Sequence, residues 1–84
     1  MSMVVLMITP RQIRAARALL GWSQQQLADK AIMSLNAVTR LEAGKVDPRV
    51  STVTAIEKAL MKAGIEFLPS DAKGEGVRLR SPKS

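Results

Sequence analysis

Three closely spaced helix-start signals constrain the fold more than any other feature of this sequence. Thr9 and Gln12 in "TPRQ" have the spacing of a capping box, in which the side chain of each residue accepts a hydrogen bond from the backbone amide of the other. Ser23 and Gln26 in "SQQQ" repeat that spacing, and Ser34 can cap a third helix. The chain is therefore expected to form short helices with little chain between them.

Apolar residues recur at helical spacing after each cap, and glycines stand where several of these helices should end. Pro48 prevents the third helix from continuing into the fourth. The predicted helices cover about residues 10–20, the segment between the Ser23 cap and Ile32, the segment between the Ser34 cap and Gly44, and about residues 51–63.

Beyond residue 64 the pattern changes to alternating apolar and polar residues. "IEFLP" and "GVRLR" flank the turn-rich "SDAKGEG" and predict two short strands. A lone hairpin is marginal in water. The apolar "MVVLMI" near the N-terminus can pair with it, within the chain or across a dimer; alternatively, residues 1–7 and 81–84 are frayed ends.

The expected fold is thus mainly α, a compact four-helix domain with short β-strands near the C-terminus. At 84 residues the chain should form a single domain over 1–84. Its helical core covers 9–63, and 64–84 contribute the strands and a tail, with a role in dimerisation left open.

The composition argues against enzymatic catalysis and against disulfide or zinc sites. The chain has no cysteine and no histidine, which removes disulfides, thiol nucleophiles and the usual zinc ligands. The carboxylates are scattered, and no glycine-rich phosphate loop follows a strand. We expect no enzyme activity, no metal and no cofactor.

The charge balance points to a polyanionic partner. Thirteen Lys and Arg against seven Asp and Glu give a net charge of +6, which favours nucleic acid over an acidic protein or membrane surface. The apolar "MSMVVLMI" is too short to span a bilayer. We expect a cytoplasmic protein without a membrane partner. Nothing after the fourth helix is large enough for a sensor domain, so no small-molecule ligand is expected.

The segment from Gln24 to Leu41 carries a distinctive spacing of apolar residues. Small Ala28 lets two short helices cross closely. "WSQQQLA" followed by "S…V..LE.G" resembles the Xre and phage-repressor family, which also includes the controller proteins of restriction systems. The resemblance covers about residues 9–63 and implies a lambda-repressor-like helix-turn-helix domain that binds double-stranded DNA.

That resemblance implies a role for each matching position. The helix beginning at Ser34 should enter the major groove, where arginine can bind guanine and asparagine can bind adenine. The residues expected to contact bases are Leu35, Asn36, Thr39 and Arg40. Those expected to contact phosphate are Gln24, Ser34, Lys45 and Arg49, and Gln24 is also expected to brace the third helix. Arg17 and Glu42 correspond to a family ion pair with a structural role.

The function implied is that of a small dimeric regulator, acting as an autorepressor on a palindromic operator. A second interpretation is a protein-interaction module, such as an antitoxin or antiactivator, that docks a protein partner through Leu35 and the apolar strands. A third is a basic DNA binder without sequence preference.

One position conflicts with the resemblance. Related proteins usually place glycine where this chain has Ile32, because the corner before the third helix needs a positive φ. Either the strain is tolerated because Ile32 buries apolar surface, or the second helix ends differently. The matching spacing on both sides favours the first outcome.

Overall fold

Four helices followed by one hairpin make up the part of the chain that the structure describes. The structure is a computed structural model, and it describes residues 8–44, 49–69 and 71–80. The elements are α1 (Pro10–Leu20), α2 (Gln24–Ala31), α3 (Leu35–Ala43), α4 (Val50–Lys62), β1 (Ile65–Leu68) and β2 (Gly76–Leu79). The predicted fold class is confirmed, and the fourth helix begins and ends one residue earlier than predicted. No helix within these ranges combines the length and the apolar character needed to cross a membrane.

Side-chain caps explain where the first three helices begin. Complete capping boxes form between Thr9 and Gln12 and between Ser23 and Gln26. The Ser34 hydroxyl accepts a hydrogen bond from the Ala37 amide at 3.1 Å. Each cap satisfies an amide that a helix start would otherwise leave unpaired, which contributes about 1 kcal/mol per cap.

The core forms where the four helices meet the first strand. Ala16 and Ala28 are completely buried, and their small side chains allow neighbouring helices to approach closely. The remaining buried apolar residues are Ile13, Leu27, Val38, Leu41, Val53, Ile56, Leu60 and Ile65. This packing holds α2 and α3 at a defined angle to each other and to α1 and α4.

A buried glutamine fastens the hairpin to the start of α1. Gln12 is 6% exposed; its Oε1 accepts the Thr9 amide at 2.9 Å, and its Nε2 donates to the carbonyls of Leu68 at 3.0 Å and Gly76 at 2.9 Å. Leu68 and Gly76 face each other across the antiparallel strands. One side chain therefore caps a helix and joins both strands to it.

The predicted hairpin strands are confirmed, since β1 and β2 fall within "IEFLP" and "GVRLR". They form a two-stranded antiparallel sheet among the described residues. The proposed pairing of "MVVLMI" with this hairpin, and the alternative of frayed ends, concern residues 1–7 and 81–84, which lie outside the described residues.

The corner between α2 and α3 keeps its left-handed geometry despite a β-branched residue. Ile32 has φ 57° and ψ 58°. Its amide donates to the Asp29 carbonyl at 3.3 Å, and the Met33 amide donates to the Ala28 carbonyl at 3.0 Å, the two bonds of a Schellman cap. The second outcome, a different end to α2, is therefore wrong.

The expected burial of Ile32 is also wrong, because its side chain is 90% exposed. Met33, the next residue, is the one that packs against the core. The two cap hydrogen bonds and the packing on both sides of the corner therefore offset the backbone strain at Ile32. The side chain of Ile32 makes no contribution.

Replacing Ile32 with glycine should stabilise the protein. The substitution removes about 1–2 kcal/mol of left-handed backbone strain. It also costs about 0.5–1 kcal/mol, because glycine loses more conformational entropy on folding, so the free energy of unfolding should rise by on the order of 0.5–1 kcal/mol. Urea denaturation measures it. Ile32→Ala keeps the strained Cβ and is the matched control; equal stability of the two variants would contradict this account.

Candidate nucleic-acid interface

The exposed face of α3 brings together the residues expected to contact bases. Val38 and Leu41 of this helix point into the core, so positions on the opposite side face solvent. Asn36, Thr39 and Arg40 are exposed, and Thr39 and Arg40 each lie about one helical turn from Asn36. Leu35, at the first position of the helix, is 42% exposed.

The starts of α2 and α3 supply backbone donors beside this face. The first amides of each helix have no intrahelical acceptor and can bind an anion such as phosphate. Ser34 uses a lone pair of its hydroxyl oxygen for the cap, so its hydroxyl proton remains available to an acceptor. Arg49, the N-cap residue of α4, is exposed. Lys45 lies outside the described residues.

Arg17 of α1 and Glu42 of α3 form an ion pair with two parallel hydrogen bonds. Arg17 Nε lies 2.7 Å from Glu42 Oε2, and Arg17 Nη2 lies 2.9 Å from Glu42 Oε1. Arg17 Nη1 also donates to the carbonyl of Trp22 at 2.9 Å. The guanidinium group therefore joins α1, the chain entering α2, and the end of α3.

Glu42 remains ionised although its residue is only 2% exposed. Burial by itself raises the pKa of the carboxyl group, but hydrogen bonds from Arg17 and Gln24 outweigh burial and hold the pKa below its ordinary value. The Arg14 guanidinium, which donates to the Glu42 backbone carbonyl, acts in the same direction. A buried carboxylate with these donors fixes the end of α3 against α1.

Gln24 extends this network to the exposed face of α3. Its Nε2 donates to Glu42 Oε1 at 3.0 Å, and its Oε1 accepts from the Thr39 hydroxyl at 3.1 Å. The resemblance implied that Gln24 braces the third helix, but the sequence did not specify Thr39 as its partner and did not predict the Arg14 bond. No local pattern indicates a pair of residues that becomes adjacent only when α2 packs on α3.

The comparison with known families agrees with this geometry. A helix-turn-helix family model matches residues 13–61, which is more than half of the chain. The chain belongs to the Cro/C1-type helix-turn-helix family. Members are DNA-binding regulatory domains, so this helix-turn-helix protein is a regulator that binds double-stranded DNA. No curated protein matches the chain.

The match covers the helix-turn-helix unit from within α1 to near the end of α4, and leaves the hairpin outside. The resemblance to the Xre and phage-repressor family is therefore confirmed. Within the described ranges, no group of three or more metal-ligating side chains converges.

The stability of this helix-turn-helix protein should depend on pH through Glu42. Because the pKa of Glu42 is lowered in the folded state, the folded protein binds this proton less well than the unfolded chain does. The contribution of Glu42 to the free energy of unfolding is therefore fully present above about pH 4.5, and it is lost as the pH falls through the pKa of the folded state. Glu42→Gln should lower the free energy of unfolding by about 2 kcal/mol at pH 7.

Denaturation of wild type and Glu42→Gln at several pH values measures this difference. The gap in the free energy of unfolding should narrow as the pH is lowered below about 4.5. Glu75→Gln, which removes the partner of exposed Arg11, is the control and should show a smaller gap at pH 7. A gap for Glu42→Gln that stays constant down to acid pH would contradict the assignment.

Proposed function

We propose that the protein is a sequence-specific transcriptional repressor that recognises its operator through α3. The observation that carries the proposal is the exposed face of Asn36, Thr39 and Arg40, on a helix whose angle is held by the ion pair between Arg17 and buried Glu42. A rigid helix with polar groups of defined geometry suits base recognition in the major groove.

The proposed base contacts follow from side-chain chemistry. Arg40 donates two hydrogen bonds to guanine O6 and N7, and Asn36 binds adenine through N6 and N7. Leu35 and the Thr39 methyl group contact thymine methyl groups. Gln24, Ser34, Lys45 and Arg49 bind phosphate and set the register of the protein on the duplex without specifying sequence.

We propose further that the protein acts as a homodimer on a two-fold symmetric operator and represses its own gene. A single recognition helix contacts only a few base pairs, whereas two helices spaced by one turn of DNA give a longer site. The net charge of +6 supports a polyanionic partner.

A groove between α4 and the hairpin is the proposed contact with the second copy. It has a volume of about 520 Å³ and is lined by Met61, Ile65, Phe67 and charged side chains that include Glu57 and Arg80. Met61 is 53% exposed. A two-fold interface must be self-complementary, and a groove that carries both an acidic and a basic rim can pair with its own copy.

A protein-interaction module remains the second candidate, favoured by the exposed apolar residues at the helix-turn-helix corner. Ile32 is 90% exposed and Leu35 is 42% exposed, and both are available to a protein partner. A footprint on the DNA upstream of the gene separates the candidates. A symmetric footprint supports the operator-binding dimer, and no footprint supports the interaction module.

Base-contacting and phosphate-contacting residues should behave differently when replaced. Arg40→Ala and Asn36→Ala should each reduce discrimination at particular base pairs by about 1–3 kcal/mol. Arg49→Ala, the matched control, should weaken operator and random DNA alike and lower the salt dependence. Salt titrations of both DNAs measure these effects. An unchanged ratio of operator to random binding in the first two variants would remove α3 as the recognition helix.

The oligomeric state tests the proposed dimer contact. Met61→Lys should shift the protein toward monomer because it replaces one of the apolar side chains that line the groove with a charged one. Sedimentation over a range of concentrations measures the change. Leu19→Lys is the control, since Leu19 is similarly exposed at 46% but lies on α1. A wild-type protein that stays monomeric, or variants that dimerise equally, would contradict the proposal.

A further inference from the structure

The buried carboxylate of Glu42 determines how the Gln24 amide is oriented. An ionised carboxylate accepts hydrogen bonds and has none to donate. Glu42 Oε1 lies 3.0 Å from the Gln24 amide, so the nitrogen of that amide must face it. The Arg17 guanidinium, bonded to both carboxylate oxygens, keeps the carboxylate in place and ionised.

This orientation presents the amide oxygen of Gln24 to Thr39. The oxygen lies 3.1 Å from Thr39 Oγ1, and an amide oxygen can only accept a hydrogen bond. The hydroxyl of Thr39 must therefore donate its single proton to Gln24. On its exposed side Thr39 then offers lone pairs of the hydroxyl oxygen and a methyl group, but no donor.

A threonine free to rotate its hydroxyl can donate or accept, and so pairs with either kind of base edge. An acceptor-only threonine is more selective. In the major groove an A·T pair presents the adenine N6 amino donor and the thymine methyl group. A G·C pair presents two guanine acceptors and no methyl group, with one donor on cytosine N4.

We propose that Thr39 specifies an A·T base pair, and that Glu42 sets this preference from the core through the Gln24 amide. The inference rests on the proposed function, in which α3 lies in the major groove. Gln24 and Glu42 are positioning residues here, because they act on the base pair through Thr39. The second hydrogen of Gln24 Nε2 stays available to a phosphate oxygen.

Two substitutions at Thr39 separate its hydroxyl from its methyl group. Thr39→Val keeps the methyl group and removes the donor to Gln24, so it should weaken binding to all sites and keep the base preference. Thr39→Ser keeps the donor and removes the methyl group, so it should relax the preference at one base pair. Both changes are on the exposed face and leave the core intact.

The probe is a pool of randomised DNA duplexes, from which the wild type and each variant select sites. Thymines in the selected site are then replaced one at a time by deoxyuridine, which removes only the methyl group. At the position facing residue 39, wild type and Thr39→Val should each lose about fourfold in affinity, as expected for one buried methyl group. Thr39→Ser should lose almost nothing there.

Glu42→Gln tests the remote part of the inference. An amide at residue 42 can donate as well as accept, so Gln24 can turn over and the Thr39 hydroxyl can donate to guanine. This variant should select G·C as well as A·T at that one position, and the change there should exceed any change that a shift of α3 causes at the positions facing Asn36 and Arg40. Glu75→Gln is the control, because it removes an ion-paired carboxylate near the hairpin and should select the wild-type sites.

The outcomes distinguish this inference from the proposed function. The inference is overturned if Thr39→Val alters the selected base as Thr39→Ser does, or if folded Glu42→Gln keeps the A·T preference. Should Glu42→Gln fail to fold, the two Thr39 variants decide. If Arg40→Ala and Asn36→Ala select the same sites as the wild type, the proposed function itself fails. If these two variants alter the selected sites but the Thr39 variants do not behave as predicted, only the inference about Thr39 is lost.

Discussion

The geometry of the candidate interface depends on the ion pair between Arg17 and Glu42. Glu42 is nearly inaccessible to solvent, and a buried charge is costly unless it is paired and hydrogen bonded. Its carboxylate receives donors from α1 and α2 while belonging to α3. Any rotation of α3 away from α1 would break these bonds and leave the carboxylate unpaired. The pair therefore acts as a constraint on the angle of α3 more than as a source of stability.

The same constraint reaches the exposed face of α3. Gln24 stands between the buried carboxylate and exposed Thr39, so the hydrogen-bonding character of a surface side chain follows from a charge in the core. At the Ile32 corner, by contrast, the surface side chain has no link to the core. There an exposed side chain has no packing role, and the backbone keeps a strained conformation because the helices on both sides are fixed by the core.

The hairpin adds a second link across the fold. Gln12 joins the start of α1 to both strands, and Glu75 binds the Thr9 hydroxyl and the Arg11 guanidinium at 3.0 and 2.8 Å. The hairpin thus extends the domain on the side of α1 and leaves a groove against α4. These polar contacts to α1, together with the burial of Ile65 in the core, explain why a two-stranded sheet that is marginal alone has a defined position here.

The sequence by itself determined the helices, their caps and the two strands. These are local properties: a capping box needs residues three apart, and an amphipathic helix needs only its own periodicity. The exposure of Asn36 and Arg40 follows from the same periodicity, once Val38 and Leu41 are assigned to the core.

Only the tertiary structure decided which distant side chains meet. The links from Gln12 to Gly76 and from Gln24 to Thr39 join residues far apart in the chain, and no local pattern specifies such contacts. The exposure of Ile32 was likewise mispredicted from the sequence. Its position requires a left-handed backbone, but the direction of its side chain depends on how Met33 and α2 pack. Local patterns set the elements, and core packing sets their relative placement because burial is a property of the assembled chain.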